Sequence, residues 1–312
     1  APWGGCMDYY YDGTYPGFLT AVYEIYHYGT SKLEGIGPEG GEVRLFGADF
    51  IVKTNFLYAE KVAASFEKKC GKKGIRQVYR AFLSARPEKE MKIFEYMRRG
   101  FKTGKDLYSY WKEPWAREIL EMGREVGNEA EKFRGILRFS ELEEGMLFAS
   151  INPTHNVAPI LAEHFKNRLS AESWAIYDVN RQIAAVYEEG KVSIVEVEDP
   201  NLELKVSKSE EDLRQIWRNY YRHLGIEDRR NPRERMLYLP KKYWPYLTEM
   251  QDPYNVQDVS MKGLPEKKRP RNVNLNISGR EFENALRSVQ RKAGILEKGL
   301  PEGNKEKKDE ES

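Results

Sequence analysis

The spacing of apolar residues predicts helices first and strands later along the chain. Near the amino terminus, Tyr9–Tyr11 favours a short strand, and Asp12-Gly13 predicts the turn that leads into a helix. From Phe56 to about Phe133 the apolar positions recur every three or four residues, with an interruption at Pro114. We therefore expect a helical subdomain over residues 56–133.

The apolar period changes to that of strands after residue 133. GILRFSEL, GMLFASI, SWAIYDV, QIAAVYEEG and KVSIVEVED favour strands, and residues 157–169 favour a helix between them. The sequence therefore predicts an α+β fold, with a helix-rich subdomain and a small mixed or antiparallel sheet that has flanking helices.

The carboxyl-terminal part predicts one more helix, an arm and a tail. Ser209 opens EEDLRQIWRNYYRHLGI, which has acidic residues in its first turn and Gly225 at its expected end. An arm rich in proline and aromatic residues follows. We expect one domain over residues 7–250, of which 134–250 form the α+β part with the basic arm, and a largely flexible, disordered tail over 251–312.

Composition excludes several classes of protein. Lys and Arg exceed Asp and Glu by only two among 312 residues, so attraction to nucleic acid would have to come from local patches. Two cysteines are too few for a disulfide framework or a cysteine-rich metal site, and no apolar run reaches the roughly 18 residues of a membrane span. These features predict a cytoplasmic protein with no metal and no cofactor. GIGPEG at 35–40 has dinucleotide-binding spacing but lacks the strand before it and the helix after it.

Two histidines lie in INPTHNVAPILAEHF at 151–165. The helical period places His164 at the boundary of an apolar helix face, which favours a packing role. His155 precedes the helix, where the helix dipole favours anions and a neutral imidazole could accept a proton or touch a phosphate. A structural role beside the helix cap is the alternative, and no second ligand lies at metal spacing.

Asp178 is the second candidate for catalysis. It lies in YDVNR at 177–181, where a turn aspartate supported by Arg181 is one interpretation. In the other interpretation, Asp178 lies at a strand end beside His155 and orients a general base. The sequence leaves both interpretations open.

A basic stretch between Leu213 and Tyr246 is the candidate nucleic-acid site. It holds nine basic residues and three acidic ones, and three arginines recur at i+4 along one predicted helix. Guanidinium and ammonium groups at this spacing can follow phosphates, and two neighbouring aromatic rings could stack on unpaired bases. A solvated arginine face is the alternative. The residues assigned to this site are Arg214, Arg218, Arg222, Arg229, Arg230, Lys241, Lys242, Tyr243 and Trp244.

Four blocks of the sequence resemble a family of uncharacterised proteins assigned to DNA metabolism. The blocks are YDGTYPGFLTAVYE at 11–24, RGILRFSEL at 134–142, the stretch at 148–187 that contains INPTHNVAPILAEHF, and LPKKYWPYL at 239–247. The resemblance implies a gene neighbour encoding a radical-SAM protein that acts in DNA modification or repair. It also implies, in some members, fusion to a uracil-DNA glycosylase domain. Members usually begin near the equivalent of Met7.

The combined interpretation is a DNA-associated accessory protein in DNA repair or modification, with DNA and a radical-SAM protein as expected partners and a uracil-DNA glycosylase as a further one. Two alternatives stay open. One is a base-processing or hydrolytic enzyme that uses His155 and Asp178, and the other is a protein–protein adaptor that uses the apolar aromatics of the arm.

Overall fold

The computed structural model describes residues 7–29, 33–40, 48–197, 205–224 and 231–251. It divides the chain into two compact units. Unit 1 contains the described residues up to Phe133 together with Pro153–Val157, and unit 2 contains Arg134–Asn152 and the described residues from Ala158 onward. The predicted tail lies outside the described residues except for Gln251.

Unit 1 begins with a parallel sheet of three strands. Strand β1 (Met7–Tyr11) lies between β2 (Leu33–Pro38) and β3 (Ala48–Ile51), and it is parallel to both. Helix α1 (Tyr15–Tyr28) follows β1 through the predicted turn, and the side chain of Thr14 caps it by accepting a hydrogen bond from Gly17 N–H. The glycine-rich segment at 35–40 contributes most of β2, so it is not a phosphate-binding loop before a helix.

Three long helices complete unit 1 and confirm the helical prediction. Asn55 caps α2 (Phe56–Phe82), and a positive φ of 81° at Gly71 bends that helix. Helix α3 (Lys89–Thr103) leads directly into a 3-10 helix at Gly104–Tyr110. Helix α4 (Pro114–Ile136) starts at the proline that interrupts the sequence pattern, because proline fits the first turn of a helix.

Unit 2 contains a mixed sheet of five strands, as predicted. The sheet order is β4-β5-β6-β7-β8, and only the β5–β6 pair is parallel. Helix α5 lies between β5 and β6 in the sequence, as a parallel connection requires. The elements are β4 (Ser140–Glu141), β5 (Leu147–Ile151), α5 (Ala158–Arg168), β6 (Trp174–Asp178), β7 (Ile183–Glu188) and β8 (Lys191–Glu196).

The predicted helix and arm follow the sheet. Helix α6 (Lys208–Leu224) begins one residue before the predicted Ser209, and Ser207 caps it by accepting a hydrogen bond from Glu210 N–H. Helix α7 (Pro232–Tyr238) and two 3-10 helices, Lys241–Tyr246 and Thr248–Met250, make up the described arm. Together the two sheets and their flanking helices confirm the α+β class.

Candidate functional site

The segment Pro153–Val157, which contains His155, is fastened to the helical part of unit 1. The carboxylate of Glu129 on α4 accepts the backbone N–H groups of Thr154 at 2.8 Å and of His155 at 2.7 Å. The backbone N–H of Asn156 donates to the carbonyl of Leu83 at 2.9 Å. Hydrogen bonds from consecutive backbone groups to a carboxylate are strong, so they fix the path of this loop.

The imidazole of His155 takes part in the same attachment. Its Nδ1 accepts the backbone N–H of Ala85 at 3.1 Å, and the residue is only 9% exposed. An Nδ1 that accepts a hydrogen bond carries no proton, so the neutral ring carries its proton on Nε2. The structure therefore shows a structural use of this histidine, and its predicted catalytic role stays a prediction.

An ion pair lies near this segment in unit 1. The Nε of Arg86 donates to Glu125 at 3.0 Å. Hydrogen bonding to Arg86, together with the positive charges of Arg86 and Arg124, holds the pKa of Glu125 below its usual value despite burial. Glu125 is therefore a charged group that balances Arg86 and not a proton donor near neutral pH.

Asp178, the second catalytic candidate, belongs to unit 2. It ends β6 and is fully buried. One carboxylate oxygen accepts the N–H groups of Asn180 at 3.0 Å and of Arg181 at 3.3 Å, and the other accepts the Arg181 guanidinium at 2.9 Å. Burial raises its pKa, although Arg181 and the backbone donors oppose that shift. Both oxygens are thus used by the β6–β7 turn, which matches the turn interpretation.

The arginines of α6 are less open to solvent than the sequence pattern suggests. The side chain of Arg214 is 19% exposed; it donates to Glu210 at 2.8 Å and to Ser140 at 2.6 Å. The Nε of Arg218 is buried and has no hydrogen-bond partner among the described residues. The side chain of Arg222, as well as Arg229 and Arg230, lies outside the described residues.

The aromatic residues assigned to base stacking are covered by the fold of unit 2. Tyr243 is 3% exposed and Trp244 is 6% exposed, and Trp244 packs with Leu247 and Met250. The indole N–H of Trp244 donates to the carbonyl of Leu239 at 2.9 Å. Stacking on a base needs an open ring face, so these two rings are core residues in this structure.

The lysines of the arm lie over these rings. The Nζ of Lys241 is 5.8 Å from the centre of the Trp244 ring, and that of Lys242 is 4.7 Å from the centre of the Tyr243 ring. Such cation–π contacts orient the ammonium groups without neutralising their charge. A contact of Lys241 or Lys242 with phosphate therefore stays a prediction.

Apolar side chains of α6 face solvent instead. Leu213, Ile216 and Tyr220, which share one helix face at i, i+3 and i+7, are all more than half exposed. We call these three residues the apolar face of α6. On α7, Leu237 and Tyr238 are also exposed. Exposed apolar residues at helical spacing are typical of surfaces that bind other proteins.

A second basic area, which the sequence analysis did not assign, lies in unit 1 where α2 meets the 3-10 helix. Residues 68–76 of α2 hold five basic residues and no acidic one. A methyl group at Gly104 would lie 3.6 Å from Cε of Lys69, and the Nζ of Lys73 is 4.9 Å from the centre of the Tyr108 ring. The lysines of α2 therefore adjoin the 3-10 helix.

The same area carries exposed aromatic rings. Trp111 is 57% exposed with the Nζ of Lys112 at 5.2 Å from its ring centre, and Tyr110 is 40% exposed. Among the described residues, Lys69, Lys102 and Lys105 form no ion pair. We call this area the basic-aromatic surface; its members are Lys69, Lys73, Lys102, Lys105, Tyr108, Tyr110, Trp111, Lys112 and Trp115.

A pocket of about 380 Å³ opens on this surface. Its lining residues come from the end of α3, the 3-10 helix and the start of α4: Glu95, Arg98, Arg99, Lys102, Thr103, Tyr110, Glu113 and Trp115. Arg98 and Arg99 both donate to Glu95, at 2.7 and 2.6 Å. These hydrogen bonds lower the pKa of Glu95 although burial opposes the shift, so Glu95 stays charged.

The sequence contained a signal for this surface. RRGFKTGKDLYSYWK at 98–112 interleaves five basic residues with aromatic ones. An unbroken helical period over residues 56–133 would place most of those aromatic residues in the core. The 3-10 helix Gly104–Tyr110 has a different period, and its last residue Tyr110 and the following Trp111 both reach solvent.

The described residues set limits on other sites. No group of three or more His, Cys, Asp or Glu side chains in that part of the chain is arranged to hold a metal ion. None of its helices has both the length and the apolar character needed to cross a membrane.

Comparison with known proteins gives one family match. A family model described as a domain of unknown function, DUF4130, matches residues 87–249, from the start of α3 to the end of the arm. The search of curated proteins finds no match. Since the family model covers more than half of the chain, this protein belongs to the DUF4130 family.

Proposed function

We propose that the protein is a DNA-associated accessory protein in DNA repair or modification, which binds DNA phosphates through the basic-aromatic surface and acts with a radical-SAM partner. The observation that carries the proposal is a set of lysines in unit 1 that form no ion pair among the described residues and lie beside exposed aromatic rings. Unpaired cations can release the counterions of phosphates, and exposed rings can stack on bases, so the two together favour single-stranded or damaged DNA.

The basic-aromatic surface supports this function better than the arm of unit 2 does. Arg214 is already paired with Glu210, and the rings of Tyr243 and Trp244 are covered. Lys69, Lys102 and Lys105 have no such competing acceptor among the described residues. A phosphate at these lysines therefore breaks no ion pair with a described residue, whereas at Arg214 it would have to break one.

The accessory role is also favoured over a hydrolytic one. His155 accepts a backbone N–H and Asp178 holds its own turn, so both candidate catalytic residues already serve the fold. Structural hydrogen bonds of this kind account for both residues without any reaction.

A direct test is DNA binding measured by fluorescence anisotropy with a labelled single-stranded oligonucleotide. The variant Lys69→Gln/Lys102→Gln/Lys105→Gln removes three lysine charges of the basic-aromatic surface and should weaken binding of all sequences alike. The matched control, Lys53→Gln/Lys191→Gln/Lys208→Gln, removes three exposed lysines outside the surface and should bind like the wild type. Equal affinities of the two triple variants would overturn the proposed surface.

The apolar face of α6 favours a partner protein as a second element of the function. The side chains of this face, Leu213, Ile216 and Tyr220, are exposed to water. Burying them against a partner would stabilise a complex relative to the free protein. Co-expression with the radical-SAM protein should give a complex that Leu213→Ser/Ile216→Ser disrupts. The control Ile51→Ser changes an exposed apolar residue of unit 1 and should leave the complex intact. Loss of the complex in both variants, or in neither, would contradict this role of α6.

A further inference from the structure

We infer that the pocket between α3 and α4 binds one unpaired nucleotide whose base carries an exocyclic amino group, as cytosine and adenine do. The inference rests on the proposed DNA binding and adds to it the kind of base that is held and the residue that selects it.

The size and walls of the pocket fit a single planar ring system. Its volume of about 380 Å³ lies within the roughly 300–1,000 Å³ of small-molecule sites. The ring centres of Tyr110 and Trp115 are 5.8 Å apart, and the Arg99 guanidinium lies 5.0 Å from the Trp115 ring centre. Since Arg99 already lies over Trp115, the half-exposed ring of Tyr110 is the surface on which a base can stack.

The two acidic residues of the pocket differ in what they can offer to a ligand. Both oxygens of Glu95 accept hydrogen bonds from arginines. Glu113 is exposed, and no described residue pairs with its carboxylate. A carboxylate only accepts hydrogen bonds, so Glu113 would bind the amino group of cytosine or adenine and repel the carbonyl oxygen of thymine.

A basic side chain of the pocket can bind the phosphate of the nucleotide. Lys102 lines the pocket and forms no ion pair among the described residues, so it is available for the phosphate of the bound nucleotide. A base enters a protein pocket only after it leaves the helical stack. The pocket therefore fits single-stranded DNA or a base extruded from a duplex.

The experiment compares the affinities of oligodeoxycytidine and oligothymidine of equal length. The wild type should bind oligodeoxycytidine about five- to tenfold more tightly, as expected for one base-specific hydrogen bond to a carboxylate. Glu113→Gln should remove most of this preference, because an amide both donates and accepts hydrogen bonds. The control Asp106→Asn also removes one negative charge, but on the 3-10 helix outside the pocket lining, and should keep the preference.

Each outcome decides between the pocket and the wider surface. Equal binding of both oligonucleotides by the wild type, or an unchanged preference in Glu113→Gln, would overturn the pocket while DNA binding by the lysines stands. Tyr110→Ala should weaken both oligonucleotides by similar factors, because stacking tolerates every base. Unaltered affinity of Tyr110→Ala for both would likewise contradict the stacking site.

Discussion

The hydrogen bond from Ala85 N–H to His155 Nδ1 makes a prediction that separates two similar substitutions. In His155→Asn the amide oxygen is bonded to Cγ, as Nδ1 is, so it can accept the same N–H. In His155→Gln the amide lies one bond further along the side chain, so the N–H of Ala85 loses its acceptor. A net hydrogen bond contributes about 0.5–1.5 kcal/mol. At roughly 2–4 °C per kcal/mol, His155→Gln should melt about 1–6 °C below His155→Asn.

Thermal unfolding followed by circular dichroism measures this difference. Both variants lose the packing of the imidazole ring, so that loss of stability cancels when their melting temperatures are compared. Amide hydrogen exchange provides a local check, since the Ala85 amide should exchange faster in His155→Gln than in His155→Asn. Equal melting temperatures together with equal Ala85 exchange would refute the structural role of the histidine.

Further substitutions test packing, charge and the arm. Gly100→Ala should cost about 1–3 kcal/mol in urea unfolding, because the new methyl group would lie 2.7 Å from Phe66 Cε2. Gly135→Ala meets nothing within 4 Å inside α4 and should stabilise by about 0.5–1 kcal/mol; a cost at this position would contradict the packing argument. Although burial opposes its charge, hydrogen bonds from two threonine hydroxyls and the backbone lower the pKa of Asp12 below 3.8. The stability contributed by ionised Asp12 is therefore present above that pH, and it is lost as the pH falls through the lower pKa of the folded state. In Asp12→Asn, the free energy of unfolding in urea should depend less on pH in this range. A pH dependence equal to that of the wild type would contradict the role of Asp12. Trp244→Ala should lower the melting temperature and leave DNA affinity unchanged, because the ring is buried. A loss of DNA affinity without a lower melting temperature would instead show that this ring contacts DNA.

Local signals in the sequence predicted most helices well. The spacing of α2, α3 and α4 and the turn before α1 depend on residues close together in the chain, so they are visible without a structure. The three-stranded parallel sheet was harder to predict. Its strand β2 is glycine-rich, and it pairs with β1 across a long stretch of chain.

The orientation of α6 shows why the candidate site was only partly predictable. Arginines at i+4 usually mark a solvated face, yet Arg214 is held by Glu210 and by Ser140, which lies 74 residues earlier. The residues that fix which way an arginine points are thus distant in sequence, and Leu213 and Ile216 are left in solvent as a result.

The surroundings of His155 could be predicted only in part from the sequence. The position of His155 before helix α5 follows from the helical period, and it is confirmed. The partners that define its role, Ala85 and Glu129, lie in other elements, so the sequence could not choose between a hydrogen-bond acceptor and a catalytic base.

The salt dependence of single-stranded DNA affinity tests the central claim most directly. Each lysine that neutralises a phosphate contributes about 0.7 to the slope of log affinity against log salt. The slope of Lys69→Gln/Lys102→Gln/Lys105→Gln should therefore be shallower than that of the wild type by about 2, while the control triple variant keeps the wild-type slope. Identical slopes for all three proteins would show that the basic-aromatic surface does not hold the DNA.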